Sequence, residues 1–468
     1  MPAIPDSLRQ QLRQHGQEHV LAWWDHLNDD ERRALQEQVR ALDLPALRQL
    51  HERRDHAYDV PLPERIAPVP VVAHNAPDSA AALRRGEEAL RAGEVAVLLV
   101  AGGQGSRLGF EHPKGMYEVG PVSKKSLFQM HAEKVLATRR RYGRPVPFLV
   151  MTSPATDAET RQFFAEHNHF GLPADEVIFF QQGTMPALDL ATGKLLMEDR
   201  GRLFLSPDGH GGTLTALASS GLLRRMRQRG IRQVFYFQVD NPLVKIADPT
   251  FLGHHLGRRS EASSKVVAKR SPQEKVGVFA QVNGRCTLIE YSDLPDELAR
   301  QTDETGRLRL WAGSPAIHLF DVAFLDRVTR GAGQVPFHTA RKKVPHVDEA
   351  GNAVQPAKEN ALKFERFIFD VLPLAERWLV VEANRAEEFA PVKNATGADS
   401  PSTAEQAISD LTASWLHHAS IVVPRWPNGS SAVPLEVSPR FALDADEFAR
   451  RVDRDTKIDG PRYFDEKG

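Results

Sequence analysis

Six consecutive aliphatic residues, Val95 to Val100, run into the sequence Ala101-Gly102-Gly103-Gln104-Gly105-Ser106-Arg107-Leu108-Gly109. A strand with no polar alternation must bury both faces, which places it inside a parallel sheet covered by helices on each side. The glycines that stop it read as a turn at the carboxyl end of that strand, where open α/β sheets take their ligands. This stretch directs attention to one edge of a sheet.

The pattern on either side agrees. "SLFQMHAEKVLATRRRYG" (126–143) has helical spacing and ends in glycine. "PFLVMTS" predicts a strand, "DAETRQFFAEHNHFG" a helix, "VIFFQQ" (177–182) a strand, "GTLTALASSGLLRRMRQRG" (212–230) a helix, and "VFYFQVD" (234–240) a strand. Strand–helix repetition with short links predicts a doubly wound, mostly parallel α/β sheet. Further β structure is expected over "KVVAKR", "KVGVFAQVNGRCTLIEYSDL" and "LRLWAGSPAIHLF", with Asn283-Gly284 as a hairpin turn. Before the sheet, residues 6–54 carry apolar residues at helical spacing (Leu8, Leu12, Val20, Leu21, Trp24, Leu27), and Asn28 with Glu31 forms a capping-box signature. The proline-rich stretch 60–77 predicts an extended connector, and 78–93 a helix stopped by Gly93. "DEFARRVDRDTKIDGPRYFDEKG" predicts a charged surface helix and tail. The chain therefore divides into an N-terminal helical region (1–90), a central domain (91–385) and a smaller C-terminal part (386–468).

Charge narrows the class of ligand. Sixty basic and 61 acidic residues leave a net charge of −1, so no global field favours nucleic acid or an anionic membrane, and any anion must be gripped locally. The lone Cys286 excludes an intramolecular disulfide and a cysteine-built zinc site, which suits a reducing cytoplasm. No signal-peptide pattern opens the sequence, and no apolar run is long enough to span a bilayer.

The glycine loop belongs to neither common phosphate-binding type. A P-loop ends in Gly-Lys-Ser/Thr, which is absent. A dinucleotide fingerprint has G-x-G-x-x-G, whereas Gly103, Gly105 and Gly109 are spaced by one residue too many. That spacing argues against a nicotinamide oxidoreductase. Arg107 can fork onto a phosphate and Lys114 can add a point charge, so the loop suits a polyphosphate. Asp240, closing a buried strand, has the hard oxygen chemistry of a Mg²⁺ ligand, and an ordinary turn-capping aspartate would look the same.

"LLVAGGQGSRLGFEHPKGMYEVG" resembles the signature of the eukaryotic-type UTP:sugar-1-phosphate uridylyltransferases, above all the UDP-N-acetylhexosamine pyrophosphorylases, with UDP-glucose pyrophosphorylases as relatives. "FFQQGTMPAL", "SPDGHGGTLTAL", "QVDNPLVKIADP", "LIEYSDL", "ARKKVPHVDEAG", "LKFERFIFDVLP" and "FAPVKNATG" resemble family segments in the family's order, over about residues 90–405. The resemblance implies a nucleotide-diphospho-sugar transferase-like fold and uridylyl transfer from UTP to a hexose 1-phosphate, most of all N-acetylglucosamine 1-phosphate, giving UDP-sugar and pyrophosphate. It gives Arg107, Lys114 and Lys393 to the phosphates and Asp240 to Mg²⁺. It gives the backbone of Gly102 and Gly103 and the amide of Gln182 to uracil. Gly209 and His210 would lie against nucleotide and sugar. Gly277, Glu290, Ser314, Phe367 and Phe369 would line the sugar. The expected protein is a cytoplasmic monomer or weak homo-oligomer.

Each of these residues also has a plainer reading: a solvated lysine, an end-of-strand glutamine, core phenylalanines. Two positions depart from the N-acetylhexosamine pattern. Ser314 stands where those enzymes carry Asn, and His210 stands where their glycine turn has Asn; a Gly-His-Gly turn resembles the UDP-glucose and broad UDP-sugar enzymes. A UTP–glucose-1-phosphate uridylyltransferase or broad UDP-sugar pyrophosphorylase is therefore the alternative. A non-catalytic nucleotide-sugar binding paralogue is the alternative from another class, and retention of Arg107, Lys114, Asp240 and Lys393 argues against it.

Overall fold

The computed structural model describes residues 4–55, 62–330 and 335–466. The chain forms two compact units, each assembled from separate stretches of sequence: Met1–Val60, Gln182–Gly212 and Gly333–Asp370 in the smaller, and Pro61–Gln181, Thr213–Ala332 and Val371–Gly468 in the larger.

The larger unit is built on an 11-stranded sheet. Val95–Val100 lies between Gln233–Gln238 and Phe148–Thr152, and Val177–Gln181 follows at the edge; all these pairings are parallel. All five residues from Val95 to Leu99 are buried, as an aliphatic strand covered on both faces requires. Beyond Gln233–Gln238 the sheet turns mixed. His318–Asp321 runs antiparallel to both Gln233–Gln238 and Ala262–Ala268, and Trp378–Glu382 joins the latter in parallel. Val278–Val282 and Arg285–Ile289 form the hairpin expected around Asn283-Gly284, and both turn residues have positive φ, 50° and 78°.

Helix Leu127–Tyr142 starts at Ser126, whose Oγ accepts from Gln129 N at 3.2 Å, and ends at left-handed Gly143. Helices Ser79–Ala92 and Pro249–Gly257 cross backbone to backbone. A Cβ on Gly86 would fall 1.8 Å from the Pro249 carbonyl oxygen, and one on Gly253 would fall 1.7 Å from that of Ala82.

Three expectations change. The helix over 212–230 is two helices, Thr213–Ser219 and Leu222–Gln228. The break comes where Ser220 Oγ turns back onto the Ala216 carbonyl at 2.6 Å and Gly221 takes φ +70°. Part of the proline-rich connector is a strand, Ile66–Pro68, paired antiparallel with Val278–Val282; Val60 and Pro61 lie outside the described residues. The C-terminal stretch is packed rather than a tail. Leu435–Val437 and Arg462–Phe464 form a parallel pair, and Phe448, fully buried on helix Ala445–Arg451, meets Phe464 edge-on at 5.1 Å. Charge dominates that segment's composition, but Phe448, Val452, Ile458 and Phe464 are buried in one core and anchor it.

In the smaller unit the expected capping box forms: Asn28 accepts from Glu31 N while Glu31 accepts from Asn28 N. The next helix has a cap the sequence reading did not name, Asp43, which accepts from Ala46 N across Pro45. Their apolar faces, with Leu12, Leu35 and Val39, share a core with Leu188, Leu203 and Phe364 from short strands of the same unit. Among the described residues no helix is long and apolar enough to cross a membrane.

Candidate active site

Two constellations of candidate residues emerge, one in each unit. In the larger unit the glycine loop leaves the sheet beside the strand end at Asp240. Gly103 O accepts from Lys114 N at 3.1 Å, which folds the loop back so that the turn carrying Lys114 returns to the end of the strand. Gly105 lies where a Cβ would meet the Phe110 carbonyl oxygen at 2.7 Å, and Gly109 has φ +69°. A Cβ on Gly103 would meet nothing within 4 Å, so its backbone borders open space. The Gly102 carbonyl accepts from Ser153 Oγ at 2.8 Å, which pins the loop to the next strand's end. Arg107, on the short 3₁₀ turn Ser106–Leu108, is exposed and has no ion-pair partner among the described residues.

Lys114 Nζ sits 3.4 Å from Asp240 Oδ2, both side chains largely buried. Asp240 also accepts a hydrogen bond at its carbonyl from Val392 N (2.8 Å), which brings Lys393 alongside. The structure thus gathers Gly103, Lys114, Asp240 and Lys393, which are far apart in sequence. The sequence reading missed the residue that holds this junction. Asn241, buried, donates from Nδ2 to the Glu388 carbonyl (2.7 Å) and accepts at Oδ1 from Ala390 N (3.1 Å). Glu388 in turn receives Lys265 Nζ at 2.5 Å, and Lys265 reaches Asp248 Oδ2 at 2.7 Å. Burial works against the charge on Lys265, yet the two carboxylates outweigh it and raise its pKa. The one sequence signal was polar residues packed densely into "VDNPLVKIADP" after a buried strand.

Gly277, Glu290 and Ser314 also converge in this unit. Ser314 N donates to Gly277 O at 2.9 Å, and a Cβ on Gly277 would lie 3.3 Å from Glu290 Oε1. Ser314 Oγ accepts from Ala316 N (3.2 Å) and so stabilises the left-handed turn at Ala316, φ 57°.

In the smaller unit the second glycine turn lies against the backbone of Arg366 and Phe367. Gly211 N donates to Arg366 O (2.8 Å), Arg366 N to Asp208 O (2.7 Å), and a Cβ on Gly209 would fall 2.4 Å from Arg366 O. His210 stacks on Phe367 at 5.3 Å and approaches Phe369 at 5.7 Å. Its Nδ1 accepts from Ile368 N at 3.1 Å, which puts the neutral ring's proton on Nε2. Burial, helped by nearby His338, pulls His210 down to about 4, so it is neutral at physiological pH. Gln182 is buried at the start of this unit's second stretch.

Asp208 was also overlooked. Its carboxylate lies between two glycines: a Cβ on Gly212 would fall 2.0 Å from Oδ1, and one on Gly183 2.8 Å from Oδ2. Oδ1 is buried without a hydrogen-bond partner, and burial raises the group to about 6 against the opposing pull of Arg366.

No group of three or more His, Cys, Asp or Glu side chains among the described residues is placed to hold a metal ion. A lone, partly accessible Asp240 fits a Mg²⁺ that takes most of its ligands from phosphates and water. It does not fit a metal caged by protein.

The sequence profile of the family described as UTP–glucose-1-phosphate uridylyltransferase matches residues 64–399. UDP-N-acetylglucosamine diphosphorylase 2 of Arabidopsis thaliana is 39% identical over 456 residues, covering 92% of this chain and 89% of that protein. The UDP-N-acetylglucosamine pyrophosphorylase of Saccharomyces cerevisiae is 40% identical over 377 residues, covering 78% of each. Among solved structures, the uridine diphosphate N-acetylglucosamine pyrophosphorylase from Trypanosoma brucei, in complex with an inhibitor, superposes with a TM-score of 0.81 at 28% identity, covering 96% of this chain and 95% of that one. A profile spanning most of the chain, relatives matched nearly end to end and a glycine loop tied to Lys114 and Asp240 together place the chain in the UTP–glucose-1-phosphate uridylyltransferase family.

Proposed function

We propose that the protein transfers the uridylyl group of UTP to N-acetylglucosamine 1-phosphate, releasing pyrophosphate and forming the UDP-sugar. The convergence of Lys114 and Asp240 beside the glycine loop carries this reading. An oxygen of the sugar phosphate attacks the α-phosphorus as the bond to the pyrophosphate oxygen breaks, and no protein nucleophile is required. The protein's work is to hold two mutually repelling anions in line and to neutralise the charge that develops on the leaving group. Arg107, Lys114 and Lys393 supply the positive charge. Asp240 would hold Mg²⁺, which when bound neutralises and orients the phosphate oxygens. Buried Cys286, raised to about 12 by burial, is unsuited to nucleophilic work.

In the larger unit, Gly277, Glu290 and Ser314 are assigned to the sugar, and backbone groups of Gly102 and Gly103 to uracil. In the smaller, Gln182 is assigned to the base, and Gly209, His210, Phe367 and Phe369 to ligand contact. A second reading rests on Ser314, whose hydroxyl is already engaged by Ala316 N and lacks an amide. Glucose 1-phosphate is then an additional acceptor. The protein acts in the cytoplasm as a monomer or weak homo-oligomer, with no nucleic-acid or membrane partner.

Pyrophosphate release from UTP, measured across a panel of hexose 1-phosphates with Mg²⁺, tests the proposal. Release with N-acetylglucosamine 1-phosphate supports it, and no release with any of the panel refutes it.

A further inference from the structure

The segment after residue 399 lies outside the family match, yet it reaches the stretch of chain that follows Lys114. Immediately after the Lys114–Met116 turn the chain forms a tight hairpin. Tyr117 N donates to Lys114 O, Leu127 N to Tyr117 O, and Val119 N and Gly120 N both to Lys125 O. The hairpin is thus the only covalent path from Lys114 to helix Leu127–Tyr142. Its tip, residues 120–125, reads Gly-Pro-Val-Ser-Lys-Lys; Pro121 and Val122 are only half-buried, and Lys124 has φ 57°.

The anchor is Glu436, 1% exposed on strand Leu435–Val437. Its Oε2 accepts from Val122 N (3.1 Å) and Ser123 N (2.8 Å), and its Oε1 from Ser123 Oγ (2.6 Å). Gly120 leaves room for it, since a Cβ there would fall 3.1 Å from Oε1. Two further contacts hold Lys125: its Nζ lies 5.1 Å from the ring of Tyr463 on the neighbouring strand and 2.6 Å from Glu133 on helix Leu127–Tyr142. A carboxylate buried among three donors and aimed at a loop tip is more than generic packing requires, because burying that charge is costly unless the bonds it makes are needed.

We infer that Glu436 is a positioning residue for uridylyl transfer: it fixes the 117–126 hairpin and through it Lys114. The inference rests on the role proposed for Lys114. It assigns a function to the C-terminal segment, which would otherwise be an appendage.

The test is a double-mutant cycle with Lys114→Ala, read as kcat and as KM for each substrate, alongside amide hydrogen exchange. Glu436→Ala should lower kcat/KM for UTP by about thirtyfold, from the loss of a charge-assisted contact set, while KM for the sugar phosphate stays unchanged. Glu436→Gln should cost less than Glu436→Ala, since its amide oxygen can keep the Val122 and Ser123 amides while its NH₂ donates to Ser123 Oγ, and only the charge is lost. In the Lys114→Ala background the Glu436→Ala effect should largely vanish. Ser123→Ala, which removes one donor and leaves the fold less exposed to failure, should cost about threefold and show the same loss of effect. The amides of Val122 and Ser123 should exchange at least about tenfold faster in Glu436→Ala. Wild-type turnover in Glu436→Ala, or effects that multiply with Lys114→Ala, would overturn the inference. If the wild type releases no pyrophosphate, the proposed function falls, and the exchange rates alone then decide whether Glu436 holds the hairpin.

Discussion

Lys114 Nζ stands 3.4 Å from Asp240 Oδ2, so the cation proposed for phosphate and the carboxylate proposed for Mg²⁺ neutralise each other before any ligand arrives. On the proposed roles, a bound nucleotide phosphate would take up the charge of Lys114, and Asp240 would be free to hold Mg²⁺. Removing Lys114 therefore takes away transition-state charge and leaves Asp240 unpaired. We expect Lys114→Ala to lower turnover by several hundredfold, about 3–4 kcal/mol of transition-state stabilisation, in pyrophosphate-release assays of folded protein.

Arg107 differs in being exposed and without an ion-pair partner among the described residues. Arg107→Ala should cause a similar loss of turnover while leaving the melting temperature within about a degree of wild type, because a surface substitution away from packing contacts is nearly neutral for stability. A melting scan beside the kinetic assay separates the two effects, and near-normal turnover would remove Arg107 from the phosphate site.

Activity should require a divalent cation. Asp240→Asn should reduce the rate and raise the Mg²⁺ concentration needed for half-maximal activity, both by at least about tenfold. A wild type that stays fully active in EDTA would show that Asp240 serves Lys114 alone.

Ser314 tests the sugar assignment. A hydrogen bond to the acetamido group contributes about 0.5–1.5 kcal/mol, which is severalfold discrimination. Both glucose 1-phosphate and N-acetylglucosamine 1-phosphate should be used measurably, and Ser314→Asn should shift the ratio of kcat/KM values severalfold towards the N-acetyl sugar. An unchanged ratio would mean that Ser314 does not meet the second carbon's substituent.

Asp208 makes a prediction about stability and pH. Its folded pKa of about 6 lies above the ordinary 3.8, so between those values the folded chain holds a proton that the unfolded chain has lost. The stabilisation from that protonation is present at low pH and disappears as pH rises through about 6. Asp208→Asn removes the titration. Relative to wild type, the variant should gain about 2–3 kcal/mol between pH 4 and pH 7.5, read as a growing difference in melting temperature. A pH-independent difference would place the carboxyl's pKa near its ordinary value.

The strands were legible because the Val95–Val100 and Phe148–Thr152 runs have no polar interruption, and such runs have few alternatives to a buried parallel sheet. The glycine loop, Lys114 and Asp240 were legible because each ends or follows a strand and carries a chemistry its neighbours lack. Asn241, Asp208 and Glu436 were not. Their importance lies in partners far away in sequence, the carbonyl of Glu388, the glycine backbones at 183 and 212, and the amides of Val122 and Ser123. No local spacing encodes such pairings. The split of the 212–230 helix was missed because Ser219, Ser220 and Gly221 are each tolerable in a helix singly and break it only together.

The crossing of the helices at Gly86 and Gly253 bears on how a mutational map of this protein should be interpreted. With carbonyl oxygens of Pro249 and Ala82 occupying the space where side chains would start, even alanine must force the two backbones apart. In a saturation library selected for activity, both positions should be as depleted as Lys114. Their intolerance would be that of a hinge pin and its socket, and ranking residues by depletion alone would place two helix-packing glycines among the proposed substrate ligands.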